Sequence, residues 1–90
     1  MIVVSYDISN DKLRTRFSKM IERSGAIRLQ YSVYEINNTK RVIDNLIVKI
    51  ESKYSALFTG ADSVMIFETD NKSIKKYGNA IHRDKDMLFM

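Results

Sequence analysis

The order in which two hydrophobic periodicities alternate along this chain constrains its fold more than any other feature. Residues 2–7, "IVVSYD", form a continuous apolar run rich in β-branched side chains, the pattern of a central strand covered on both faces. Ser9, Asn10 or Asp11 can then cap a helix over "DKLRTRFSKMIERSG", with Gly25 as its stop. The next run, "AIRLQYSVYEIN", is too long and too rich in β-formers for one average strand. It reads as two, with a bend near Gln30 and Tyr31. A second helix is expected over about 39–54, because Val42, Ile43, Leu46, Ile47 and Ile50 recur on one helical face. "SVMIFET" supplies a last strand. Strand, helix, strand, strand, helix, strand predicts an α+β, ferredoxin-like βαββαβ sandwich whose antiparallel sheet carries both helices on one face.

Ninety residues predict a single domain, with a core over about 1–69 and a tail over about 70–90. A domain of this size sits near the lower end of what supports its own core, and its first and last strands are apolar on both sides. Ile2, Val4 and Tyr6 oppose Val3, while Val64 and Ile66 oppose Met65 and Phe67. A second copy of the chain is the simplest cover for the spare face, so a homodimer is expected. The tail "GNAIHRDKDMLFM" ends in four apolar residues, 87–90, which are expected to add a short C-terminal strand to a partner. Absence of cysteine removes disulfides and thiolate chemistry, and absence of proline with only three glycines leaves no linker or glycine-rich phosphate loop. No apolar run approaches the roughly 20 residues of a membrane span and no signal peptide is visible, so a cytoplasmic protein with no membrane partner is expected.

Fifteen Lys and Arg against eleven Asp and Glu give a net charge of +4, which matters only if it is gathered on one surface. The first helix gathers it. Leu13, Phe17, Met20 and Ile21 share one face, whereas Lys12, Arg16, Lys19 and Arg23 share a stripe within about 60° of arc. Arg14 borders the apolar face and is expected to project toward the sheet edge. A solvated helix surface is the plainer account of such a stripe, but four cations without interleaved acids, presented twice by a dimer, suit a nucleic-acid duplex. Asp7 ends the first strand, where it could cap the helix or ligate a hard metal; Mg²⁺ takes one or two carboxylates with waters and phosphate oxygens. One carboxylate per chain is thin for hydrolysis, and a dimer would supply two. His82 is the lone histidine and reads as a surface residue. Tyr31 and Tyr34 lack the glycine of an RNA-recognition signature, so core or interface packing is expected of both.

"VSYDIS", a helix containing "RTRF", and "RLQYSVYE" closely resemble, in order and spacing over about residues 1–68, the small CRISPR-associated protein of the adaptation pair, the second Cas protein. A strand-end Tyr-Asp also looks like the related virulence-associated toxin ribonucleases. Tyr34 stands where the family usually has Phe. The resemblance implies a ferredoxin-like homodimer whose two Asp7 side chains face one another across the two-fold axis. It places the family's tyrosine and aspartate on Tyr6 and Asp7, its helix arginines on Arg14 and Arg16, and its second-strand arginine on Arg28. Two activities are implied. One is a scaffold that bridges dimers of the CRISPR integrase and holds double-stranded spacer DNA through Lys12, Arg14, Arg16, Lys19, Arg23 and Arg28. The other is a Mg²⁺-dependent endonuclease cleaving single-stranded RNA or double-stranded DNA, with Asp7 on the metal and Tyr6 near the scissile phosphate. The scaffold is the favoured expectation, and loss of 86–90 is expected to weaken dimerisation or integrase binding.

Overall fold

The computed structural model describes residues 1–78. The expectations for His82 and for an added strand at 87–90 lie outside them. Four strands, β1 (Ile2–Asp7), β2 (Ile27–Gln30), β3 (Val33–Ile36) and β4 (Ser63–Glu68), form one sheet in the order β2-β3-β1-β4. Every pairing is antiparallel, with Val4 opposite Tyr34 on one side and Ile66 on the other. Helices α1 (Asp11–Glu22) and α2 (Lys40–Lys49) complete the ferredoxin-like α+β arrangement that the alternating periodicities predict.

The helix ends follow local chemistry. Asn10, of the three capping candidates, accepts from Leu13 N–H at 2.9 Å, while Thr39 caps α2 through Val42. Beyond α1, Gly25 adopts φ +83°, and its N–H reaches the Glu22 carbonyl at 3.0 Å. A Cβ there would also stand 3.1 Å from the Asn38 side chain, which donates to the Ser24 carbonyl, so both backbone and space call for glycine.

The second helix departs from expectation. Regular α-helix stops at Lys49, and residues Ile50–Tyr54 form a wider π-helical turn before a short 3-10 turn over Ser55–Leu57. Leu46, Ile50 and Tyr54 are all buried, yet four-residue steps on an α-helix drift by about 40° each. The wider turn takes back that drift and keeps the Tyr54 ring against Phe17, at 5.3 Å between centroids. Ser52 and Ser55 hydroxyls donate to the Val48 and Glu51 carbonyls, which satisfies acceptors in the disturbed stretch.

The core lies between the sheet and the helices. Phe17, Ile21, Val4 and Ile36 are wholly buried there. Among the described residues the opposite face is only partly covered, and part of its cover comes from the segment after β4. Residues 70–78 turn back so that Lys76 pairs with Glu35, a buried carboxylate in the middle of β3 on the side away from the helices. Toward β4, Met65 and Phe67 remain half exposed on that face, at 55% and 50%.

Candidate functional site

On α1 the sequence pattern is realised in space. Lys12, Arg16, Lys19 and Arg23 are all exposed, and among the described residues none of them takes part in an ion pair. The helix's own acids are engaged elsewhere. Asp11 pairs with Arg14, and Glu22 accepts a 2.9 Å hydrogen bond from the Tyr34 hydroxyl. The stripe therefore projects positive charge that no neighbour on its helix neutralises.

Arg14 stands apart from that stripe. Its side chain is only 29% exposed, and the guanidinium donates to the Ile8 carbonyl at 3.0 Å as well as to Asp11. Arg28, also named by the resemblance, lies on β2 opposite Tyr34 with its guanidinium 5.8 Å from the Tyr31 ring centroid. Both arginines line a pocket of about 270 Å³ between α1 and the β2–β3 turn. Tyr6 and Tyr34 form part of its wall, with stacked rings at 6.2 Å, and Thr15, Ser18 and Ser32 line it too, the Ser18 hydroxyl donating to the Thr15 carbonyl at 3.0 Å. Burial pushes the Tyr6 phenol up, against hydrogen bonds from Tyr34, Ser18 and Ser32 and the charge of Arg28. Burial and the bond to Glu22 push the Tyr34 phenol up further, so both remain protonated donors.

Tyr6 and Asp7 are not brought together. Neighbours on a strand alternate, and Tyr6 is buried against Phe17 on the helix side, at 4.9 Å, while Asp7 is exposed on the other side of β1 opposite Ser63. The Asp7 carboxylate makes no hydrogen bond or ion pair among the described residues, and helix capping falls to Asn10. No group of three or more His, Asp or Glu side chains among those residues could hold a metal. As a donor set, one exposed carboxylate per chain fits Mg²⁺ only if a second copy and phosphate or water oxygens complete the shell. Of the two tyrosines expected to pack, Tyr34 is buried, but Tyr31 is 68% exposed at the pocket rim and is not a core residue.

A feature that sequence reasoning missed is Asp62, which ties the loops beside Asp7. One carboxylate oxygen accepts from Ser9 N–H and hydroxyl at 2.9 and 3.0 Å, the other from Thr59 N–H at 2.8 Å and its hydroxyl. The backbone donors of Ser9 and Thr59 hold its carboxyl below the usual range, as the Ser73 hydroxyl and N–H do for Asp70. A depressed folded pKa gives stability that is complete above the unfolded value, about 4, and is lost as pH falls through the folded one. We expect thermal stability to fall below about pH 4, and Asp62→Asn to flatten that acid limb; unchanged acid limbs would show that other carboxylates control it.

The chain matches the family profile of the CRISPR associated protein Cas2 over residues 1–77. The crystal structure of a Cas2 protein superposes with a TM-score of 0.66 at 25% identity, covering 99% of this chain and 93% of that one. A hypothetical protein from Thermus thermophilus shares the fold with a TM-score of 0.66 at 23% identity, over 86% of this chain and 88% of that one. No curated protein matches.

Proposed function

The chain belongs to the CRISPR-associated Cas2 family, and on that premise we propose that it serves CRISPR adaptation as a scaffold. In this reading two copies form a homodimer that bridges dimers of the CRISPR integrase and holds double-stranded spacer DNA along its basic helix faces. The unneutralised row of Lys12, Arg16, Lys19 and Arg23 is the observation that supports it. Four cations on one exposed face meet phosphates without reading bases, which suits a protein that must accept spacers of any sequence. The half-exposed Met65 and Phe67 support the dimer, since a second copy would remove them from water.

A second reading is favoured by one observation: Asp7 stands exposed and unengaged at a strand end. Two such carboxylates, one from each copy, could hold Mg²⁺, which would polarise a phosphodiester for attack by water. Tyr6 would take no direct part in that chemistry from the helix side of the sheet.

One experiment separates the readings. Wild type and Asp7→Ala are assayed for binding and cleavage of duplex DNA and single-stranded RNA, with and without Mg²⁺. We expect equal duplex affinity and no Asp7-dependent turnover. Multiple-turnover cleavage that needs both Asp7 and Mg²⁺ would make the protein a nuclease and overturn the scaffold reading.

A further inference from the structure

The pocket between α1 and the β2–β3 turn has a lining with one chemical character. Every side chain that faces it carries either a guanidinium or a hydroxyl, and no carboxylate lines it. Asp11 and Glu22 are outside that lining, where Asp11 pairs with Arg14 and Glu22 accepts from the Tyr34 hydroxyl. Arg14 uses two of its terminal nitrogens on Ile8 and Asp11, so its guanidinium is fixed in place with further N–H groups left to donate. The Tyr34 and Ser18 hydroxyls already donate, to Glu22 and to the Thr15 carbonyl, so an anion with several acceptor oxygens would be met chiefly by the fixed guanidinium groups.

The rim adds an aromatic requirement. Tyr31 is 68% exposed, and the turn that carries it is held in a conformation serine rarely adopts, with Ser32 at φ +63°. Tyr6 N–H donates to the Ser32 carbonyl at 3.0 Å and locks that turn to β1. An exposed ring on a rigid mount, beside an arginine, forms a stacking platform.

We infer that this pocket binds a nucleotide, its phosphate among Arg14, Arg28 and the hydroxyls and its base stacked on Tyr31. The shape favours a terminal phosphate monoester. An internal phosphodiester of a stiff duplex reaches a convex helix face such as the Lys12–Arg23 stripe, whereas a concave pocket admits a chain end or a free mononucleotide. Those are two sources of one chemistry. The pocket borders the stripe at Thr15 but takes none of its four cations, so it does not depend on the duplex reading.

The test titrates the full chain with AMP, with adenosine, and with single-stranded oligonucleotides carrying a 5′-phosphate or a 5′-hydroxyl, followed by calorimetry. We expect the phosphorylated member of at least one pair to bind at least about tenfold more tightly than its partner, the scale of charge-assisted bonds to a phosphate. Arg28→Ala and Tyr31→Ala should each weaken it by about tenfold, with unchanged thermal unfolding as the control for folding. A fourfold variant with Lys12, Arg16, Lys19 and Arg23 all replaced by glutamine should keep this binding even where it loses duplex DNA. A response to AMP alone identifies a free nucleotide as the ligand, and a response to the 5′-phosphorylated strand alone identifies a strand end. No binding of either phosphorylated probe at millimolar concentration, equal affinity for each pair, or indifference to both substitutions would overturn the site. Failure of the duplex reading would show separately, as unaltered duplex affinity in the fourfold variant.

Discussion

Phe17→Ala is expected to destabilise the domain by about 3–5 kcal/mol, the usual cost of emptying a buried phenylalanine site. Phe17 is wholly buried, and its ring meets those of Tyr6, Tyr54 and Phe58 edge-on at 4.9, 5.3 and 6.2 Å. It therefore joins β1, the π-helical turn and the segment before β4 through one side chain. A cavity there can collapse only if elements from three parts of the chain move together, which places the expected cost in the upper half of that range. Against a total stability of about 5–13 kcal/mol for 90 residues, the loss is a large fraction. On the scale for small domains it lowers Tm by roughly 15–30 °C. Urea unfolding of wild type, Phe17→Ala and the exposed control Lys19→Ala would measure it. A loss below about 1 kcal/mol for Phe17→Ala would mean that the aromatic cluster repacks freely.

The same ring shows what the sequence made legible. Helical spacing assigns Leu13, Phe17, Met20 and Ile21 to the core and Lys12, Arg16, Lys19 and Arg23 to solvent, and the structure places all eight accordingly. The bend near Gln30 and Tyr31 and the stop at Gly25 were equally readable, because each depends on a local backbone preference. Contacts made across long stretches of sequence were not readable. Glu35 looks like an ordinary polar strand residue, and only its pairing with Lys76, 41 positions away, explains a buried carboxylate. Asp62 looks like a turn residue, yet it fastens the loop after β1. The pocket is the plainest case. Tyr6, Arg14, Arg28 and Tyr31 converge because the β2–β3 turn comes to rest beside α1, and no periodicity within one element carries that information. Alternation along β1 does carry the separation of Tyr6 from Asp7, although motif resemblance alone groups the two.

These placements divide the cations of the N-terminal half into two classes. Arg14 and Arg28 belong to a concave, hydroxyl-lined wall, and Arg14 is tied to a carbonyl and a carboxylate. The four stripe residues are unpaired among the described residues and lie on a convex face. A flexible exposed cation pairs weakly with any one partner, but several on a row act together on a polyanion, because each displaces condensed counterions.

That collective action gives the largest expected functional effect. If each stripe residue neutralises one phosphate, the row contributes about 3.6 to the slope of log affinity against log salt concentration. Between 50 and 200 mM salt this amounts to a loss on the order of a hundredfold from one chain's contacts. Replacing Lys12, Arg16, Lys19 and Arg23 together by glutamine should abolish that part of the salt dependence and weaken duplex binding alike for unrelated sequences. Net charge alone would predict the same for any four cations. The control therefore removes four exposed charges elsewhere, at Arg41, Lys49, Lys72 and Lys75. We expect the control to keep most of the wild-type slope. Equal losses in the two variants would reduce the stripe to a share of a diffuse positive field, and the duplex would then have no defined track across α1.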